Sequence, residues 1–412
     1  MSAPVGAPAP GPGGQAVVGG STPPPLRLGT RRSALALAQS EDVAERLRAA
    51  TGRAVVLVEV TTQGDVDRAP LRQIGGTGVF VTALREALLE GRVDLAVHSM
   101  KDLPTAPAPG LVLAAVPTRE DPRDALVAAG GATLADLPAG ARVGTGSPRR
   151  AAQLRALGTG LDVVDVRGNV DTRLALVTSG RVDAVVLAHA GLRRVGRAQE
   201  VTEVLDVEQM LPAPAQGALA LECRAEDLET ARACSVLDDP LARAATTAER
   251  AVLAALEAGC SAPVGALARP GGSEGAGGLV LEALAAAPDG SRVLRATASG
   301  DDHDPVALGA RLARQLLDAG AADLVDLGSP ASGPAAGPQG PMLVADGPAG
   351  AGSDPVPAAS AGPSGPEETT EGLPAPSGTP DPSPALLPAG SPTASVEPAG
   401  RGGGPAAARD VT

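Results

Sequence analysis

Short apolar runs alternate with longer helical patterns along this chain, and that alternation constrains its fold more than any other feature. Leu26–Gly29 is strand-like and leads into a helical pattern from Ala34 to about Ala50, closed by Gly52. Ala54–Val60 reads as a strand, Thr82–Leu89 as a helix ending at Gly91, and Val93–His98 as a strand again. Arg142–Gly144 leads into a helix through about Leu157, Val163–Val166 into another, and Ala184–Ala188 is the next strand. Strands separated by helices pair through crossovers rather than hairpins, so this order predicts parallel sheets covered by helices. After a loop at 271–278 the pattern changes. Leu279–Ala286, a Pro-Asp-Gly turn at 288–290 and Arg292–Ala298 read as a β-hairpin, followed by a helix at Pro305–Ala319. That end predicts a separate, small α+β domain.

Residues 1–25 carry no charged side chain, and from Ser329 onward Pro, Gly, Ala and Ser dominate. Such segments cannot bury enough apolar surface to offset chain entropy, so both ends are expected to be disordered tails. The expected folded part is 26–328, long enough for two or three domains. The formal net charge is −13, which argues against nucleic-acid binding, since phosphate contacts need a basic surface. No apolar run reaches the length of a membrane span, and no basic, then apolar leader is present, so a cytoplasmic protein is expected. Three cysteines without paired spacing and three scattered histidines argue against a disulfide framework and a zinc site.

The composition is depleted in a telling way. Trp and Tyr are absent, and Phe80, Ile74, Asn169 and Lys101 are each the single representative of their type. This is the signature of a strongly GC-biased coding sequence. A lone survivor of such pressure is held either by chance or by need, and Phe80, Lys101 and Asn169 fall inside the segments where chemistry is expected.

In open α/β sheets ligands bind at the carboxyl ends of strands. VDLAVHSMKDLP (93–104) presents Lys101 and Asp102 just after a strand, either as an acid/base or charge-stabilising pair or as a solvated ion pair; His98 reads as a hydrogen-bonded structural residue. VGTGSPRR (143–150) offers Ser147 as N-cap and Pro148 as first helical residue, so free N–H groups beside Arg149 and Arg150 make an anion site, although P-loop spacing is absent. VRGNVDTR (166–173) repeats the arrangement with Asn169 as cap and Arg167 and Arg173 at the mouth; Thr30–Arg32, read as the start of a helix, adds Arg31. Arginines concentrated at strand-to-helix turns in an acidic protein predict a polyanionic ligand. GGTGVF (75–80) is either a mobile lid with Phe80 as a stacking surface or a plain turn with Phe80 in the core. Cys223 and Cys234 sit in apolar contexts where thiols are inert, whereas Cys260, in the loop GCSAPVG (259–265), is the exposed and potentially nucleophilic one.

Taken together these segments resemble the porphobilinogen deaminase (hydroxymethylbilane synthase) family. The resemblance is carried by LRLGTRRSALALAQ (26–39), GGTGVFVTALREALLEGRVDLAVHSMKDLPT (75–105), VGTGSPRRAAQL (143–154), VRGNVDTRL (166–174), LPAPAQGALALECR (211–224) and ERAVLAALEAGCSAPVGA (249–266), in family order. It implies three α/β domains, the first two like periplasmic binding proteins: 26–117 rejoined by 212–237, then 118–211, then 238–328. It implies a monomer that condenses four porphobilinogen molecules head to tail, loses ammonia and releases hydroxymethylbilane by hydrolysis. The implied cofactor is a dipyrromethane held by a thioether to Cys260. By the same resemblance Arg31, Ser33, Thr145, Ser147, Arg149, Arg150, Arg167, Arg173 and Arg194 bind acetate and propionate carboxylates, with Lys101 assisting. Asp102 stabilises the cation left when ammonia departs, and Phe80 packs against pyrrole rings. Gly146 and Thr77 depart from the family pattern, each removing one possible ligand contact. A non-enzymatic carboxylate-binding protein is the competing reading; it needs the arginines but neither Asp102 nor a reactive Cys260. A phosphate- or nucleotide-binding enzyme is a third, weakened by the missing fingerprints.

Overall fold

Strand β1 (Leu26–Thr30) buries four of its five residues, as a strand covered on both faces must. It lies between β2 (Val55–Glu59) and β3 (Leu95–Ser99), parallel to both, in a sheet ordered β2-β1-β3-β10-β4, with β10 at Leu219–Arg224 and β4 at Leu111–Ala115. A second sheet has the order β7-β6-β8-β5-β9, from β5 (Asp124–Ala128), β6 (Arg142–Gly144), β7 (Asp162–Val164), β8 (Ala184–Ala188) and β9 (Glu203–Val204). In this computed structural model the described residues are 23–60, 79–258, 262–271 and 278–324, the side chains of 79 and 80 excepted. Most of the two expected tails, residues 61–78 and Cys260 therefore lie outside the described residues.

The expectation of parallel sheets needs correction. Only the first three strands of each sheet pair in parallel, and the fourth is reversed against both its neighbours. β10 runs antiparallel to β3 and β4, and β5 antiparallel to β8 and β9. The reason is connectivity. The chain enters β5 directly from β4 of the other sheet and enters β10 directly from β9, so neither strand is reached by the crossover that makes neighbours parallel.

Helices α1 (Ala34–Thr51), α2 (Val79–Leu89), α3 (Pro148–Ala156), α4 (Val170–Thr178) and α5 (His189–Arg194) accompany these sheets, followed by α6 (Leu228–Ser235). The first helix begins at Ala34 and not at Thr30, which is the last residue of β1. Ser33 sets that boundary, its hydroxyl accepting from Ala36 N, and Gly52 closes the helix in the left-handed region. Arg31 lies in the turn between strand and helix.

The third domain packs α7 (Pro240–Ala255) and α8 (Pro305–Asp318) on an antiparallel sheet of β11 (Val264–Pro270), β12 (Leu279–Ala286) and β13 (Val293–Gly300). Both helices start with an Asp N-cap followed by proline, a pairing that satisfies a free N–H and presets the first helical φ. Ala245, Ala248, Val252, Leu308, Leu312 and Leu316 meet Leu281 and Ala283 in its core. Each buried leucine there contributes about 1.5–3 kcal/mol of transfer free energy.

Two segments, 116–123 and 205–218, connect the five-stranded sheets. They touch at Gly217, where φ is +89° and a Cβ would stand 2.4 Å from the Glu120 carbonyl oxygen, so only glycine fits. Glu249 of α7, fully buried, binds Arg119 on the outgoing segment at 2.6 and 2.9 Å, Ala215 N on the returning segment at 2.6 Å and Ala268 N of β11 at 2.8 Å. One carboxylate thus ties both connecting segments to the third domain.

Candidate active site

The carboxyl ends of β3, β6, β7 and β8 converge with the two connecting segments. After β3 the chain makes one 3-10 turn, Met100–Asp102. Met100 is buried, and its N–H donates to Ala218 O at 3.0 Å. This leaves Lys101 half-buried, with Nζ 3.4 Å from Gln216 Oε1, and Asp102 exposed. Loss of water around the Lys101 ammonium is the largest influence on it and outweighs the attraction of Asp102, bringing its pKa down to about 8. His98 is buried with Nε2 3.2 Å from Glu222 Oε2, in keeping with a structural part.

At the mouth of β6, Thr145 is buried and its Oγ1 accepts from Ser147 N at 3.2 Å. Ser147 occupies the N-cap position of α3, but its hydroxyl makes no cap bond. Arg149 and Arg150 do not stand open at the mouth. Both are buried on Asp124, the first residue of β5. Arg149 Nη1 donates to Asp124 Oδ2 at 2.8 Å and to Leu211 O at 2.6 Å; Arg150 Nε and Nη2 donate to Asp124 Oδ1 at 2.9 and 2.7 Å. Burial works against ionisation of Asp124, yet the two guanidinium groups win and hold its carboxyl far below the usual range. Gln216 closes the network, its Nε2 donating to Asp124 Oδ1 and to Pro122 O, both at 2.8 Å.

After β7, Asn169 caps α4 as expected, its Oδ1 accepting from Thr172 N at 2.8 Å. Arg167 Nη2 donates to Asp165 at 3.1 Å, and Arg173 Nε to Gly168 O at 2.9 Å. Burial, then the positive charges of Arg150 and Arg167, pull the Arg173 pKa down to about 10, with only Asp165 opposing. Gly146 has a physical reason: a Cβ there would lie 2.7 Å from Val166 O and 3.9 Å from Arg173 Nη2. The β6 and β7 turns therefore pack too closely for a side chain. Arg194 of α5 donates to Gly217 O at 2.7 Å, and burial lowers its pKa.

Lys101, Asp102, Arg149, Arg150, Arg167 and Arg173 thus form one electrostatic cluster, with Arg194 fixed beside Gln216. Arg31 and Ser33 lie in the turn between β1 and α1, where Ser33 caps the helix. Asp124, Gln216 and Glu249 carry the framework, and the sequence reading did not single them out. An acid opening the otherwise apolar run DALVA signalled Asp124, because a buried carboxylate requires cationic partners.

Five cations (Lys101, Arg149, Arg150, Arg167, Arg173) surround three acids (Asp102, Asp124, Asp165). Such an excess of positive charge, at strand ends of two domains, suits small polyanions. A family model described as porphobilinogen deaminase, dipyromethane cofactor binding domain, matches residues 26–232, and one described as porphobilinogen deaminase, C-terminal domain, matches 244–318. The porphobilinogen deaminase of Nocardia farcinica is 57% identical over 310 residues, spanning 74% of this chain and 89% of that protein. Porphobilinogen deaminase 1 of Streptomyces coelicolor is 56% identical over 309 residues, 73% of this chain and 97% of that protein. Among solved structures, the methionine-binding protein MetQ is matched over 52% of this chain and 89% of its own, at 14% identity and a TM-score of 0.35. The chain belongs to the porphobilinogen deaminase family. It is accordingly a transferase with that family's dipyrromethane cofactor-binding domain, which sets aside the solute-binding reading. Among the described residues no helix is long and apolar enough to cross a membrane.

Proposed function

We propose that this chain joins four porphobilinogen molecules head to tail, releasing four ammonia molecules, and frees the linear tetrapyrrole hydroxymethylbilane by hydrolysis. The observation that carries this reading is the surplus of cations beside an exposed carboxylate. Every porphobilinogen unit brings an acetate and a propionate, so a pyrrole chain is a polycarboxylate, and the cluster suits it. The dipyrromethane, when bound, supplies the covalent primer for chain growth, and we assign its thioether to Cys260. Lys101, Thr145, Ser147, Arg149 and Arg150 would hold its carboxylates, with Asp102 against its pyrrole N–H groups. Arg31, Ser33, Arg167, Arg173 and Arg194 would take those of incoming units, with Phe80 against their rings. Asp102, negative and exposed, faces the positive charge that develops as ammonia leaves the substrate, and it accepts a proton when the new bond forms.

Cys223 and Cys234 support the choice of anchor. Burial pushes their thiols up to about 11 and about 12, so neither is a thiolate at neutral pH. We further take the enzyme to be a cytoplasmic monomer with the domain limits 26–117 plus 212–237, 118–211 and 238–328. Intact mass is the test. The purified protein should exceed its sequence mass by two linked pyrrole units, on a peptide containing Cys260. Cys260→Ser should lose that mass and all activity, while Cys223→Ser and Cys234→Ser keep both. An unmodified Cys260 in fully active enzyme would overturn the reading.

A further inference from the structure

The turn that presents Asp102 is held from a different domain. Arg250 lies on α7 of the third domain, half-buried. Its Nη1 donates to Leu103 O at 2.9 Å and to Met100 O at 3.3 Å, and its Nη2 donates to Pro104 O at 2.6 Å. These three carbonyls bracket Lys101 and Asp102 on both sides, so one planar guanidinium fixes the ends of the turn. The turn is also tied to its own sheet by Met100 N on Ala218 O, closed by Leu103 N on Met100 O and held through Lys101 Nζ on Gln216 Oε1. Arg250 adjoins Glu249, the carboxylate that ties the connecting segments to β11, so its backbone is itself anchored. The same helix ends at Ala255, five residues before Cys260.

We propose that Arg250 is a positioning residue: it fixes the Lys101–Asp102 turn relative to the helix that leads to the cofactor cysteine. Without it, Asp102 would keep its charge but lose its alignment with a chain anchored through the third domain. This rests on the reading of Asp102 above, and the test separates the two. Full-length Arg250→Met, Arg250→Lys, Asp102→Asn and the double variants with Asp102→Asn are compared by intact mass, thermal midpoint, kcat and KM. Arg250→Met should carry the cofactor and keep KM within about threefold, while kcat falls roughly 10- to 100-fold, the scale of a sub-ångström to 1 Å misplacement. Arg250→Lys should recover part of the loss, because one ammonium reaches fewer carbonyls than the fork. On the Asp102→Asn background, Arg250→Met should cost less than about twofold, since the group it positions is already gone. Equal losses on both backgrounds, or normal kcat in cofactor-loaded Arg250→Met, would overturn the proposal alone. Normal turnover of Asp102→Asn would overturn it together with the reading beneath it. Should Arg250→Met fail to fold, Arg250→Lys carries the same comparison: non-additive with Asp102→Asn supports the role, additive refutes it.

Discussion

The two five-stranded sheets have the same order of parallel and antiparallel strands, and each sets an aspartate at the mouth of its strands. Asp102 follows β3 in the first sheet; Asp124 opens β5 in the second. Asp124 is 0% exposed and receives three bonds from two arginines and one from Gln216. Asp102 is exposed on a single turn next to a half-buried lysine. The same residue type at equivalent ends of like sheets is thus structural in one domain and available for chemistry in the other. Burial decides it: a carboxylate enclosed with two guanidinium groups is committed to them, whereas one in contact with water can meet a charge that appears during reaction.

The comparison breaks most severely at Asp124. Replacing it by Asn leaves Arg149 and Arg150 buried without their counter-charge, which should cost about 3–5 kcal/mol of stability. Denaturant unfolding measures this, and the midpoint should fall with little change in slope. The carboxyl is held well below the ordinary range, so its contribution is complete above that range and is lost only as pH falls through its lowered value. A loss under about 1 kcal/mol would mean that Asp124 is no more structural than Asp102.

Asp102→Asn should give the reverse outcome. Unfolding should be within about 0.5 kcal/mol of wild type, as for an exposed substitution. Turnover should fall roughly 10²-fold or more, the scale of removing one preorganised electrostatic group. Steady-state kinetics on cofactor-loaded protein checks this.

How much of this contrast could be read before the structure depends on where each signal lay in the chain. The strand-and-helix alternation yielded β3, β8, α1 and α8 to within a residue or two, because hydrophobic period and caps are local. The Lys101–Asp102 turn was legible for the same reason. The antiparallel fourth strands were not, because β5 and β10 take their direction from chain crossings between sheets. Arg149 and Arg150 were expected open at the mouth, as a helix start suggests. Their partner Asp124 lies about 25 residues earlier and only the fold brings it to them. Arg250 was invisible for the stronger reason that it acts on backbone carbonyls about 150 residues away, which no motif records.

A smaller effect follows from Lys101. Its pKa of about 8 places loss of the cation within the working pH range. As pH rises through 8 the ammonium becomes neutral, the carboxylates of the cofactor and of the chain built on it lose an attraction, and kcat/KM should fall up to tenfold per pH unit. Lys101→Arg should move that alkaline limb upward by a unit or more. Asp102→Asn removes an attraction that favours the charged form and should move the limb down. Stability has the opposite sign. Above about 8 the unfolded chain keeps a proton that the native lysine has released, so this group adds stability as pH rises towards the ordinary lysine value. A limb that stays in place in Lys101→Arg would assign it to another group.

The smallest effect compares two serines at equivalent strand-to-helix turns, Ser33 after β1 and Ser147 after β6. Ser33 Oγ accepts from Ala36 N at 3.3 Å and so serves its helix, while Ser147 makes no such bond and receives its order from Thr145. Ser33→Ala should therefore cost about 1 kcal/mol in unfolding, the ordinary worth of an N-cap. Ser147→Ala should cost less than about 0.5 kcal/mol. Activity should reverse the order, because a hydroxyl unused by its helix is the one available to a ligand carboxylate. Ser147→Ala should slow loading of the dipyrromethane, read by intact mass, several-fold, the worth of one hydrogen bond to a charged group, while Ser33→Ala changes it less. Equal unfolding costs for the two variants would show that Ser147 caps its helix in solution. The second sheet would then lose the free hydroxyl that distinguishes its binding turn from that of the first.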